Sequence, residues 1–193
     1  MTETNPIPIS HKLVVDAVPA NGRSVLIEPG EAERADIARV LRILAVDAMS
    51  GNFKVQREGH RLRVTGTLAA TVTQACVVSL EPVAESILED IEVVYAPKEE
   101  ADAAMRAAGL PADADEDVAM DMPGIDLAML NDPDALPDPI EDGQIDLGVL
   151  AYESLAVALD PYPRKPGVVF EPPAEPDGFG SPFAALKSLK DKS

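Results

Sequence analysis

The chain has 193 residues, of which 34 are acidic and 16 basic, for a formal net charge of −18. So acidic a chain opposes a direct grip on nucleic-acid phosphates, and 4% aromatics without a single Trp leave no stacking platform for single strands. One cysteine, Cys76, excludes a disulfide scaffold and a multi-cysteine metal site.

Residues 1–10 carry no basic stretch followed by an apolar one, and no run approaches the length of a membrane span. Together with the single thiol, this favours a cytoplasmic protein with no membrane partner. The runs 7–15 and 24–26 read as short edge strands, the first blunted by Pro6 and Pro8. Residues 31–49 read as a helix, because Ile37, Val40, Leu41, Leu44 and Ala48 keep the spacing of one helical stripe. Glu31, Glu33 and Asp36 suit the N-terminal end of its dipole.

From Phe53 the period changes to two. The runs 53–57 and 60–76 flank Glu58-Gly59, which reads as a hairpin turn. In the second run Leu62, Val64, Gly66, Leu68, Ala70, Val72, Gln74 and Cys76 share one face, and the other is rich in threonine. One wet face is the mark of an antiparallel sheet, and Gly66 would permit a bulge. Another strand, 83–95, places Val83, Ile87, Ile91, Val93 and Tyr95 on one side.

Residues 99–142 carry a local net charge of −13, whereas the flanking parts carry only −3 and −2. Rich in Ala, Asp and Pro, this stretch reads as a largely disordered acidic insert, with a short helix at its start. Residues 145–159 are apolar on most sides and read as a helix packed on the sheet, with Asp146 as its cap and Asp160-Pro161 as its end. Seven prolines between Asp160 and Pro182 imply an extended tether. A short helix after it would present Phe183, Leu186 and Leu189 as an apolar edge for a partner.

These readings give an α+β fold: an antiparallel sheet of four or five strands packed with two main helices. Residues 1–98 supply the sheet and one helix, 99–142 the insert, 143–160 the helix that completes the domain, and 161–193 the tether and tail. No nucleophile elbow, phosphate loop, dinucleotide fingerprint or HExxH signature occurs. His11 and His60 fall in expected strands without an obvious partner, and Cys76 lies on an apolar face as a small hydrophobe. Glu153 is expected on the exposed edge of its helix or paired with an arginine. The chain therefore reads as non-enzymatic and without a cofactor or metal.

Four segments, taken in order, resemble the YceD-type large ribosomal RNA subunit accumulation family. Val64-Thr65-Gly66-Thr67-Leu68 is similar to its V-x-G-x-L strand, and Cys76-Val77-Val78-Ser79-Leu80-Glu81-Pro82 to its C-x-x-C-L-E-P segment. Gly143-Gln144-Ile145-Asp146-Leu147, then Glu153-Ser154-Leu155 and Leu159-Asp160-Pro161, resemble its G-x-I-D-L … E-x-L … L-x-P segment. The tail beginning at Pro182-Phe183-Ala184 looks like that of a proteobacterial subgroup, so that the likeness spans 64–190. Ser79 stands where many members have a second cysteine, and one thiol cannot supply the four ligands of a structural zinc site. The resemblance implies a part in accumulation or maturation of large-subunit (23S-type) ribosomal RNA in bacteria and plastids, and it brings no catalytic residues.

With a net charge of −18, the expected partner is a basic ribosomal protein or a large-subunit maturation factor, contact with RNA being indirect. Two alternatives belong to other classes. One is a structural subunit of a non-ribosomal complex. The other is a metal hydrolase built on Asp142, Asp146 and Glu153.

Overall fold

A computed structural model of the chain describes residues 7–110, 129 and 132–170. Three long strands dominate: β3 (Ala45–Glu58), β4 (Arg61–Ala75) and β5 (Pro82–Pro97), paired in sequence as an antiparallel meander. β2 (Arg23–Ile27) adds to the outside of β3, and β6 (Asp138–Ile140) adds to β5 in parallel, giving the order β2-β3-β4-β5-β6. The sheet is thus mixed rather than purely antiparallel. β1 (Lys12–Val14) and β7 (Gln144–Asp146) form a separate antiparallel pair. With α1 (Glu31–Leu41), α2 (Lys98–Ala107) and α3 (Leu147–Ala158), the architecture is α+β.

The alternation in β4 has the physical result its residues imply. Leu62, Val64, Leu68, Val72 and Cys76 are fully buried, alongside Phe53 and Val55 of β3 and Leu147 and Leu155 of α3. Burying each large side chain of this set stabilises by roughly 1.5–3 kcal/mol. Gly66 makes no bulge. A Cβ there would stand 2.1 Å from the Asn52 carbonyl oxygen, so glycine lets β3 approach β4 closely.

The expected helix over 31–49 is shorter than its stripe. Arg42 turns into the left-handed region at φ 56 and ends α1, after which 45–49 extend as the start of β3. The pairing shifts register between Val46 and Ala48, a bulge with one extra residue. Val46 and Met49 are both buried although three apart, a spacing that imitates a helix. Leu44 and Ala48 face solvent instead. The unpaired length of β4 decides the matter, since Thr73, Val72 and Ala70 need strand partners.

The acidic insert is ordered at both ends. α2 packs against β5 and β6 with Ala101 and its C-cap Ala108 buried, and β6 extends the sheet beyond β5. Arginines of the polar face of β4 hold these ends. Arg61 pairs with Glu100, and Arg63 reaches Glu58 at 2.9 Å, Glu92 at 2.6 Å and Asp134 at 2.7 Å. Residues 111–128, 130 and 131 of the insert lie outside the described residues.

The proline-rich stretch is not a tether where it begins. The carbonyl of Asp160 accepts from Gln74 Nε2 at 3.0 Å, that of Pro163 accepts from the Val77 N–H at 2.9 Å, and Pro163 is buried. Prolines give up N–H donors but keep their carbonyls, so they can dock on a strand end that has donors to spare. Ile145, expected in a helix, is a strand residue of β7, and α3 starts two positions later.

Candidate functional site

A cleft of about 480 Å³ opens where β5, β6, β7 and α3 meet. It is assembled from neighbours in register. Tyr95 of β5 stands opposite Asp138 of β6, which places both side chains on the same face of the sheet. β6 leads through Asp142-Gly143, both at positive φ (49° and 69°), a two-residue turn of the kind that Asp-Gly favours. The chain then returns as β7, and Asp146 caps α3. Its carboxylate accepts from the backbone N–H groups of Gly148 at 3.0 Å and Val149 at 3.2 Å, from His11 N at 2.7 Å and from Ser10 Oγ at 2.5 Å. Gly148 is needed here, because a Cβ would stand 2.7 Å from His11 N. α3 then projects Val149, Leu150 and Glu153 into or over the cleft.

The electrostatics of the cleft are uneven. Partial burial raises the pKa of Asp146, but its four donors outweigh that and hold the carboxyl below its ordinary value. Asp138 and Glu153 have no such donors. Loss of hydration on the cleft side pushes both upward, and the charge of Asp138 pushes Glu153 further. Tyr95 is only 8% exposed, and its hydroxyl makes no hydrogen bond with any described residue. Burial raises its pKa above the ordinary value, with Asp138, Glu153 and Asp146 adding to the effect. Neither Asp138 nor Glu153 has an ion-pair partner among the described residues.

Cys76 occupies a second built feature. It directly follows β4, and the turn closes as Leu80 N–H donates to the Cys76 carbonyl at 2.9 Å. The sulfur is fully buried and accepts from the backbone N–H groups of Ser79 at 3.5 Å and Lys165 at 3.4 Å. The Lys165 N–H, then the Ser79 donors, lower the thiol pKa to about 6 against the opposing effect of burial. Lys165 Nζ also pairs with Glu81 at 2.9 Å, which closes the C-terminal segment onto the turn. Cys76 is therefore core, as its parity implies, but it is also a hydrogen-bond hub.

The residues singled out from sequence fare unequally. Phe183, Leu186 and Leu189 lie outside the described residues. Asp142, Asp146 and Glu153 do not form a ligand set: Asp146 is committed to its cap, and among the described residues no group of three metal-binding side chains converges. Glu153 lies on the exposed edge of α3 and pairs with no arginine. His60 sits in the β3–β4 turn, not in a strand, with Nε2 2.7 Å from Glu100 Oε2. His11 precedes β1, and its backbone N–H serves Asp146. Tyr95 and Asp138 were hidden to sequence reasoning, one among core positions and the other inside the acidic insert. Pro139-Ile140 followed by Asp142-Gly143 was the available signal, an apolar step into a tight turn.

The family model described as Large ribosomal RNA subunit accumulation protein YceD matches residues 64–190. The chain belongs to the YceD family. Its match begins on β4 and takes in the Cys76 turn, β5, β6, β7 and α3, so every wall of the cleft except the N-terminal segment lies inside it. No curated protein and no solved structure gives a match. Among the described residues of this YceD-family chain, no helix is long and apolar enough to cross a membrane.

Proposed function

We propose that the protein supports accumulation or maturation of large-subunit (23S-type) ribosomal RNA as a non-enzymatic factor acting through protein partners in the cytoplasm. The match to the YceD family over 64–190 carries the first part of this reading. Charge supports the second. The net charge is −18, and the arginines on the polar face of β4 are engaged by Glu58, Glu92, Glu100 and Asp134. Phosphate binding needs basic side chains free to displace counterions, whereas an acidic surface steers a basic protein.

Co-sedimentation with large-subunit precursors tests the partner class. After ribonuclease treatment the chain should remain bound to basic ribosomal or maturation proteins, and it should be released by raised salt. Loss of all association on ribonuclease treatment, at unchanged salt, would favour direct RNA contact instead. The role itself is tested by depletion, which should lower large-subunit RNA relative to small-subunit RNA.

A further inference from the structure

The cleft between β5, β6 and α3 combines features that a structural role does not require. Two carboxylates, Asp138 and Glu153, face it without an ion-pair partner among the described residues. The Tyr95 hydroxyl, on a side chain more than nine-tenths buried, has no hydrogen-bond partner there. The residue is buried but its hydroxyl opens on the cleft, so a group that enters the cleft can supply the partner. Ile145, Val149 and Leu150 give the lining an aliphatic part, and Lys12, Glu141 and Asp142 complete its charged rim.

We propose that this cleft receives an arginine side chain presented by a basic polypeptide, with Asp138 and Glu153 facing the guanidinium and Tyr95 accepting a hydrogen bond from it. The inference rests on the proposed protein partner and names how that partner is held. A guanidinium suits the cleft because its fork of five donors can serve two carboxylates and a hydroxyl together, while its methylene stem packs on the aliphatic wall. The upward displacement of both carboxyl pKa values fits the same picture, since charges destabilised in the free protein gain most from an incoming cation. Asp146 takes no part, its oxygens being occupied by the cap.

The test is a titration of the isotope-labelled full chain with acetyl-arginine methylamide, followed by amide chemical shifts. The citrulline analogue controls for shape without charge, and spermidine for a free polyamine. Shifts confined to Tyr95, 138–146 and 149–153 are expected with arginine, and none of comparable size with citrulline. Asp138→Asn with Glu153→Gln should weaken the arginine response about tenfold or more, the usual consequence of removing carboxylates from a paired cation. Tyr95→Phe, which keeps the ring, should weaken it less, and an unchanged spectrum elsewhere shows that each variant is folded. Shifts scattered over the acidic surface, an equal response to spermidine, or an undiminished response in the double variant would overturn the proposal. Depletion reports separately on the proposed function: localised arginine shifts with an unchanged ribosomal RNA ratio would remove that function and leave the cleft. A changed ratio without localised shifts would do the reverse.

Discussion

At the scale of single residues, local chemistry differs from what residue type suggests. Cys76 is buried like an aliphatic side chain, yet backbone donors lower its pKa from the ordinary 9.0 to about 6. A folded-state pKa depressed in this way adds stability that is complete above pH 9.0 and lost as pH falls through about 6. Thermal melts across that window should therefore show the native protein gaining on Cys76→Ser as pH rises. Cys76→Ser keeps an acceptor and should stay folded, whereas Cys76→Ala leaves the Ser79 and Lys165 N–H groups without one and should melt several degrees lower. Asp138 and Glu153 have the opposite sign. Their pKa values are raised in the folded state, so their charges oppose folding at neutral pH, and that opposition fades as pH falls and they protonate. Asp138→Asn with Glu153→Gln should consequently melt higher than the native chain at pH 7, and the difference should close in acid. Stability gained by removing charges is the pattern of a binding site.

At the scale of elements, the best-read parts were those with one clean period. The inward face that runs from Leu62 of β4 to Cys76, and the cap of α3 by Asp146, were legible because alternation and capping are local rules. The end of α1 was not, because a bulge at 46–48 gave strand residues a helical spacing. β6 was missed for a different reason. A three-residue strand preceded by Pro137 and centred on Pro139 has no pattern of its own, and it exists because the end of β5 at Tyr95–Pro97 has an open edge. The docking of 160–165 on the Cys76 turn is likewise a long-range matter, made of donors and acceptors nearly ninety residues apart in sequence. Asp146→Ala tests the element that organises the cleft. It removes the cap of α3 together with the acceptor for Ser10 and His11, and should cost about 2 kcal/mol or more by chemical denaturation. Asp146→Asn, which keeps one acceptor oxygen, should cost less.

At the scale of the molecule, charge and fold are complementary. The sheet buries one face under α3, and its polar face holds the ends of the acidic insert through Arg61 and Arg63. Those arginines are thereby engaged in ion pairs within a chain whose net charge is −18. The partner proposed for a chain so arranged is a basic protein rather than RNA. On the proposed function, contact with that partner sustains large-subunit ribosomal RNA. This role is tested most directly by depleting the protein and quantifying large-subunit against small-subunit ribosomal RNA, with rescue by the native chain. The expected result is a fall in the large-subunit share that the native chain reverses. An unchanged ratio on full depletion, or a fall in both RNAs together, would show that the protein does not sustain large-subunit ribosomal RNA.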